Sequence, residues 1–389
     1  MVIEFILQIS IVLLATKIAG HISVRLGQPS VLGKIIIGII IGPALLGWIQ
    51  DTQIIAVFSQ IGVLLLMFLA GLETDLDDLS KSAKSALLIA LGGVILPIAM
   101  GYAGSQVFGF STGASIFMGL LLAATSVSIS VQTLRELGWL NTKEGSALLG
   151  AAVLDDVIVV ILIAVAMGFF GEGDANIGWL LGQQVIFFVV IFAVAKLLLP
   201  KFIQLFANFQ VTEVTLSAGL IIAFAFAYFG EMLGVAGIIG TFFAGIAIST
   251  TKFKKEIEQK TEPIANGIFV PFFFVSIGLP VTFQGIGNQI GFLVIFSVIA
   301  LVSKFVGCGL GAKLSGFSMR SSMGIGSGMI SRGEVALILA AMGLSSGLIP
   351  AEYYTSVIIV VILTTLVTPP LLKIFFGTRT EDADSEVAM

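Results

Sequence analysis

The sequence predicts an all-α polytopic membrane protein with about thirteen transmembrane helices, on three observations. First, the 389 residues are 57% hydrophobic and only 11% charged, with a mean hydropathy of +1.12. A soluble domain carries about 25% charged residues, so this composition excludes a globular enzyme. Second, apolar stretches near the length of a membrane span recur along the whole chain. Third, the basic residues follow a regular alternation between the connections.

Thirteen apolar segments follow one another through connections too short for anything but helical spans. Their predicted positions are 3–20, 30–49, 53–72, 85–108, 112–133, 145–170, 177–200, 212–230, 233–250, 263–282, 289–312, 321–345 and 351–376.

Lysine and arginine occur in the connections after odd-numbered segments and in the tail, whereas the connections after even-numbered segments hold none. By the positive-inside rule, this split predicts a multi-pass protein of the cytoplasmic membrane with its N-terminus outside and its C-terminus in the cytoplasm. The basic residues are Arg25, Lys81, Lys84, Arg135, Lys143, Lys201, Lys252, Lys254, Lys255, Lys260, Lys313, Arg320, Lys373 and Arg379.

The fifth and twelfth segments are poor continuous helices. Residues 124–131 read Ala-Thr-Ser-Val-Ser-Ile-Ser-Val, and four glycines fall between Gly324 and Gly333. Hydroxyl-bearing and β-branched residues favour local unwinding, and glycine weakens a helix. Matching segments two to six with nine to thirteen gives inverted repeats with one interrupted segment at the same place in each. Such a pair predicts two crossing discontinuous helices at a transporter site, and close helix packing is the alternative explanation of the glycines.

Five charged residues lie deep in apolar segments: Asp155, Asp156, Lys304, Arg332 and Glu334. A carboxylate there costs roughly 2.5–3.5 kcal/mol on insertion scales, so two adjacent ones predict a cation or proton site. Lys304 is expected to pair with one of these two aspartates, because an unpaired ammonium would be about as costly. A structural salt bridge and a proton carrier are both open roles for Lys304. For Arg332 and Glu334 we predict charge balance, with direct ligation as the alternative.

The chemistry of a carboxyl group remote from water predicts competition between two ligands. Desolvation favours its neutral, protonated form, whereas a small hard cation requires the ionised form. One of the two aspartates should therefore bind a proton or Na⁺, and not both. The single histidine, His21, provides no relay, and the single cysteine, Cys308, is expected to pack.

These residues together resemble one family. Thr125-Ser126 stands in the first interrupted segment, Asp155-Asp156 in the next, Lys304 late in the chain, and Ser331-Arg-Gly-Glu in the second interrupted segment. This order is similar to that of the monovalent cation:proton antiporter-2 family, in particular its NapA-type and GerN-type bacterial sodium/proton antiporters. Further likenesses lie at 32–43, 68–75 and 271–279, and the resemblance extends to about residue 376.

The resemblance implies an NhaA-like fold, a homodimer and elevator-type alternating access. It implies Asp156 as the main ion ligand, with Thr125 and Ser126 beside it, and Asp155 paired with Lys304. The domains it implies are dimerisation helices 1–3 (1–84) and 8–10 (212–285), core helices 4–6 (85–171) and 11–13 (286–376), a linker helix (172–211) and a polar cytoplasmic tail (377–389).

The leading prediction is a secondary antiporter that exchanges Na⁺ or Li⁺ for H⁺, and pH homeostasis is one role that would fit it. The alternative on the same scaffold is a K⁺/H⁺ antiporter or a Na⁺/H⁺-K⁺ exchanger. An alternative of another class is an uncoupled cation channel or membrane sensor, although the chain has no carbonyl-filter sequence. We expect no enzyme activity, no cofactor and no nucleic-acid partner. Kef-type potassium systems carry a nucleotide-binding domain, and the short tail predicts none here.

Overall fold

A computed structural model describes residues 2–74, 81–170, 177–207, 209–281 and 286–378, and every regular element in these ranges is helical. The part of the tail from residue 379 onward lies outside this description. The α-helices are α1 Val2–Arg25, α2 Ser30–Ile41, α3 Gln53–Glu73, α4 Ala83–Val107, α5 Thr112–Ala123, α6 Val127–Leu137, α7 Lys143–Phe170, α8 Ile177–Leu197, α9 Leu199–Ala207, α10 Val214–Met232, α11 Gly237–Ser249, α12 Lys254–Ile264, α13 Val270–Gly278, α14 Ile290–Leu314, α15 Met319–Gly328, α16 Glu334–Ser345 and α17 Ala351–Phe376. A π-helical turn, Ala265–Phe269, joins α12 to α13, and a 3₁₀ turn, Ile286–Gln289, precedes α14.

Nine helices of the described ranges are long and apolar enough to cross a membrane, and four more apolar helices are shorter, at 10–17 residues. The predicted all-α, multi-pass membrane architecture is confirmed, while the exact number of thirteen spans and the NhaA-like fold stay predictions. The shorter apolar helices are Ser30–Ile41, Gly182–Leu197, Gly237–Ser249 and Val335–Leu344.

Two predicted boundaries were wrong for local reasons. The second segment, predicted at 30–49, ends as a helix at Ile41, because Gly42 precedes a proline and adopts an extended ψ of −176°. The tenth segment, predicted to begin at 263, belongs to a helical run that starts at Lys254. Its first turns are polar but rich in Lys, Glu and Gln, which are good helix formers, so hydropathy alone missed them.

Both predicted interruptions occur. Helix α5 ends at Ala123 and α6 begins at Val127, and α15 ends at Gly328 before α16 begins at Glu334. Between α5 and α6 the backbone is extended, with ψ of 138° at Ala124 and 106° at Ser126. The chain therefore leaves helical geometry where the hydroxyl-rich and glycine-rich stretches lie.

The chain divides into two compact units, Met1–Asp51 with Asp78–Ala175 and Val275–Met389, and Thr52–Asp77 with Asn176–Phe274. These bounds group α1 and α2 with the helices that surround the interruptions. The sequence assigned α1 and α2 to the dimerisation domain instead, and its division into dimerisation and core domains stays a prediction.

In the first unit, close helix contacts fix the helix that carries Lys304. A Cβ atom at Gly307 of α14 would collide with the carbonyl oxygen of Gly92 in α4, and the reverse also holds. Small residues allow two helix backbones to approach this closely. A buried aromatic ring extends the same interface, since a Cβ atom at Gly104 of α4 would lie 3.7 Å from the ring of Phe296, which stacks on Phe292 at 4.2 Å between centroids. Helices α4 and α14 are therefore held in direct backbone contact beside the interruptions.

In the second unit, α3 and α11 make the corresponding close contact. A Cβ atom at Gly71 would meet the carbonyl oxygen of Phe242, and one at Gly245 would meet that of Phe68. Gly240 of α11 approaches the carbonyl oxygen of Phe226 in α10 in the same way. Glycine thus sets the spacing of three neighbouring helices in this unit.

Candidate ion-binding site

The two helix interruptions lie against each other and satisfy each other's backbone. The Ser126 N–H donates to the carbonyl oxygen of Ser331 at 2.7 Å, and the Ser331 hydroxyl donates to that of Ser126 at 2.8 Å. The Ser130 hydroxyl, one turn into α6, lies 3.2 Å from the Ser331 hydroxyl oxygen. Backbone groups freed from a helix at membrane depth need partners inside the protein. The sequence of each interruption supplies those partners to the other.

The C-terminal end of α5 receives two buried cations. The last carbonyl groups of a helix have no intrahelical donor, and they carry the negative end of the helix dipole. Lys304 Nζ donates to the carbonyl oxygen of Ala123 at 2.5 Å and to that of Gly93 at 2.8 Å. Arg332 Nε and Nη2 donate to the carbonyl oxygen of Leu122 at 3.0 and 2.6 Å. Unwinding after Ala123 therefore creates the acceptors that hold both positive charges.

Arg332 is held by main-chain oxygens. Besides Leu122, its Nη1 donates to the carbonyl oxygen of Ile330 and its Nη2 to that of Ala300, both at 3.0 Å. The Thr365 hydroxyl donates to the Arg332 carbonyl oxygen. The side chain is 0% exposed. The guanidinium thus joins the end of α5, helix α14 and the second interruption at one point.

Lys304 forms a buried ion pair with Asp155 of α7. Its Nζ lies 2.9 Å from Asp155 Oδ1 and 3.0 Å from Oδ2, and both side chains are 0% exposed. The Thr125 hydroxyl, in the first interruption, donates to Asp155 Oδ2 at 2.6 Å. A buried ion pair is stable only when further hydrogen bonds offset the loss of hydration. Here a hydroxyl and two carbonyl oxygens do so.

Gly93 makes room for this arrangement. A Cβ atom there would lie 3.2 Å from Lys304 Nζ and would collide with the sulfur of Cys308. Cys308 is itself fully buried, one turn after Lys304 on α14. Lack of a side chain at Gly93 therefore lets Lys304 reach the backbone of α4.

Asp156 lies next to this ion pair on α7 and is 4% exposed. Successive residues of a helix differ by about 100° in direction, so Asp156 does not repeat the orientation of Asp155. The hydroxyl contact described for Thr125 goes to Asp155, and the backbone of Ser126, which is 8% exposed, bonds to Ser331. The ligand roles predicted for Asp156, Thr125 and Ser126 stay predictions.

Glu334 is the first residue of α16, at the end of the second interruption. Its side chain lies outside the part of the structure that is described, so its predicted charge-balancing role also stays a prediction.

Sequence reasoning assigned no role to several groups that hold the two cations or that bond to the backbone of the interruptions. Thr365 stands in a pair of buried threonines within the last apolar segment, and Ser331 precedes Arg332 directly. Polar residues among apolar ones are a signal that could have identified both. The carbonyl oxygens of Gly93 and Ala300 have no such signal, since every residue carries one.

Comparison with known proteins places the chain among transporters. The profile of the family described as sodium/hydrogen exchanger, transmembrane, matches residues 9–377. The Na⁺/H⁺-K⁺ antiporter GerN of Bacillus cereus is 55% identical, over 97% of each chain. The probable Na⁺/H⁺ antiporter GerT of the same organism is 56% identical, over 96% of this chain and 99% of its own.

A solved structure supports the fold. The sodium proton antiporter MjNhaP1 of Methanocaldococcus jannaschii superposes with a TM-score of 0.73 at 15% identity, over 96% of each chain. At this identity the likeness bears on the fold alone. The resemblance stated from the sequence is confirmed by the family profile and the two close relatives, and so is the prediction of a transporter and not an enzyme. The chain belongs to the sodium/hydrogen exchanger family of transmembrane cation/proton antiporters.

Proposed function

We propose that this antiporter exchanges Na⁺ or Li⁺ for H⁺ across the cytoplasmic membrane, and that cation and proton compete for Asp156. This proposal rests on the buried Asp155-Asp156 pair, which lies beside the point where the two helix interruptions meet. Asp155 is engaged by Lys304 and Thr125. This supports Asp156 as the group that exchanges its ligand.

The chemistry of the site suits a small hard cation in transit. Such an ion is stabilised by oxygen ligands and needs an ionised carboxylate, whereas a proton neutralises the same group. Interrupted helices offer carbonyl and hydroxyl oxygens at membrane depth. We assign Thr125 and Ser126 as the ligands that accompany Asp156, and Arg332 and Glu334 to charge balance.

Lys304 is proposed to carry a second proton. Cation binding at Asp156 would weaken the Asp155–Lys304 ion pair, and Lys304 would then release its proton, so that two protons move per Na⁺ and exchange is electrogenic. The test is exchange under an imposed membrane potential in wild type and Lys304→Gln. Wild-type exchange should respond to voltage and the variant should not. An unchanged voltage response in the variant would refute this role.

We further propose a homodimer in which the core helices move as an elevator against the dimerisation helices, with the N-terminus outside and the C-terminus in the cytoplasm. The regular alternation of lysine and arginine between the connections supports the orientation. The inverted repeats predicted from the sequence, together with two interrupted helices that meet, support alternating access around one site.

Potassium is the second candidate ion. GerN is described as a Na⁺/H⁺-K⁺ antiporter, and it is 55% identical to this chain along nearly the whole length. Our second proposal is therefore a K⁺/H⁺ antiporter or a Na⁺/H⁺-K⁺ exchanger on the same scaffold.

The deciding experiment is proton flux in proteoliposomes driven by Na⁺, Li⁺ or K⁺ gradients. Wild type, Asp156→Asn and the matched control Asp51→Asn are compared, since Asp51 is exposed and remote from the site in sequence. Flux with Na⁺ or Li⁺ that Asp156→Asn loses and Asp51→Asn keeps would support the proposal. Flux with K⁺ alone would favour the second candidate. No flux with any ion, or full flux in Asp156→Asn, would refute the assignment of Asp156.

A further inference from the structure

An apolar crevice of about 800 Å³ lies within the second unit, between α8 and α11. Nine of its eleven lining residues are apolar, and the other two are Lys196 and Thr250. The rings of Phe188 and Phe243 meet edge to face in its wall, at 5.6 Å between centroids. On α8 the lining residue Phe192 is 69% exposed, so the crevice opens on the outer face of that helix.

The polar residues of the crevice lie at one end. Lys196 follows Phe188 by eight residues on α8, and Thr250 follows Phe243 by seven at the end of α11. Both helices precede connections that hold lysine, so the alternation of basic residues predicts that they run in parallel and have Lys196 and Thr250 at the same end. At 1.5 Å per residue, the apolar stretch before Lys196 is about 12 Å long. The crevice is thus an apolar slot, long enough for part of an acyl chain, with a charged end.

That end is positive. Lys196 is exposed, and among the residues that the structure describes it has no ion pair. Lys201 follows five residues later, and Lys252, Lys254 and Lys255 lie within five residues after Thr250. The Thr250 hydroxyl donates to the carbonyl oxygen of Ala247, so Lys196 is the available donor at the rim. The alternation of basic residues predicts that this end faces the cytoplasm, where the leaflet is rich in anionic lipid.

We propose that this crevice binds one acyl chain of an anionic phospholipid, with the lipid phosphate at Lys196. Apolar walls at membrane depth offer water no hydrogen-bond partners, whereas they match a hydrocarbon chain. Lysine binds phosphate as a point charge, which suits a mobile headgroup at the rim. The site lies along α8, the predicted linker helix, and all of its lining residues belong to the second unit.

The test is native mass spectrometry of the purified, delipidated full-length protein with phosphatidylglycerol or phosphatidylcholine of identical chains. We expect phosphatidylglycerol to be retained roughly fivefold better, the factor given by one lysine near an anionic lipid. Lys196→Gln should remove the preference for phosphatidylglycerol but still bind the acyl chain. The matched change Lys313→Gln should leave the preference intact. Glycerophosphate, which has no acyl chains, should not compete.

Variants that fill the crevice test whether it binds the acyl chain of the lipid. Ala247→Trp should abolish retention of both lipids, and Ala193→Phe, at an exposed lining position, gives a milder filling in case the first variant does not fold. Val298→Trp, at a 54% exposed position on α14, should change nothing. Equal retention of phosphatidylglycerol by a folded filling variant, or no preference in wild type, would overturn the proposal. Loss of oligomers in the filling variants with unchanged lipid retention would overturn it too, since a second copy would then occupy the crevice.

Discussion

Lys304 and Arg332 are two fully buried cations at the end of the same half-helix, and they are held in different ways. Lys304 donates to the carboxylate of Asp155 and to two main-chain oxygens, whereas the four hydrogen bonds described for Arg332 go to main-chain oxygens of three residues. The planar guanidinium spreads its donors over several directions, and the ammonium concentrates its charge at one point.

This difference separates a fixed charge from a changeable one. A carbonyl oxygen keeps its partial charge under all conditions, so the hydrogen-bond acceptors described for Arg332 do not change when a carboxylate binds a proton or a cation. A carboxylate loses its charge when it binds a proton, so the surroundings of Lys304 can change. The comparison indicates that Arg332 holds the crossing of the interruptions together, while Lys304 belongs to the part of the site that responds to ions.

The largest expected effect is that of Arg332→Gln on stability. The variant leaves the carbonyl oxygens of Leu122, Ala300 and Ile330 without their donor, and each unsatisfied buried group costs about 1–3 kcal/mol. We expect a total loss of more than about 3 kcal/mol, seen as a strong fall in folded yield and in the apparent melting temperature in detergent. Arg332→Lys should recover little, because an ammonium cannot reach all three oxygens.

The matched control is Arg320→Gln. Arg320 also donates to a main-chain oxygen, that of Phe375 at 2.7 Å, but it is exposed and water can replace it. Its loss should change the melting temperature little. Equal melting temperatures for Arg332→Gln and Arg320→Gln would show that Arg332 has no structural role at the crossing.

The charged residues of this comparison were predictable, because physical rules for a membrane interior single them out. The cost of a buried carboxylate marks Asp155 and Asp156, and the cost of a buried ammonium makes Lys304 a partner for one of them. Glycines between Gly324 and Gly333 predicted the second interruption. These rules act on residue type and local sequence, which the chain displays directly.

The way in which each cation is held was not predictable. Arg332 bonds to the carbonyl oxygens of Leu122 and Ala300, which come from two other apolar segments and look like any other backbone group in the sequence. Which carbonyl oxygens accept these hydrogen bonds depends on how α5 and α14 pack. Contacts such as the one between Gly92 of α4 and Gly307 help to set the position of α14. Hydropathy likewise missed the polar first turns of the run that begins at Lys254, because they are helical without being apolar.

A smaller effect is expected when Lys304 is removed. In Lys304→Gln, Asp155 loses its cation, but its carboxylate can become neutral by binding a proton. The carbonyl oxygens around Arg332 cannot be neutralised in this way. Breaking a buried ion pair costs about 3–5 kcal/mol of stability when the remaining group stays charged, so we expect a loss of stability below that range. The measurement is the apparent melting temperature of Lys304→Gln, Asp155→Asn and the double variant. The double variant should lose less than the sum of the single losses, by about 1–3 kcal/mol. Strict additivity would show that the ion pair makes no coupled contribution.

The smallest effect is expected at Thr125, which tunes the ion pair without carrying charge. Thr125→Val keeps the shape of the side chain and removes the hydroxyl that donates to Asp155 Oδ2 at 2.6 Å. A hydrogen bond to a charged group contributes about 1.5 kcal/mol or somewhat more, so the melting temperature should fall modestly. Cation-driven proton flux should fall but persist, because a hydroxyl assigned as a ligand beside Asp156 is lost while Lys304 still holds Asp155 through both carboxylate oxygens. Thr125→Ser retains the hydroxyl and should behave as wild type. If Thr125→Val abolished flux while Thr125→Ser kept it, the hydroxyl would be an essential ion ligand, and the changeable part of the site would extend from Lys304 into the first interruption itself.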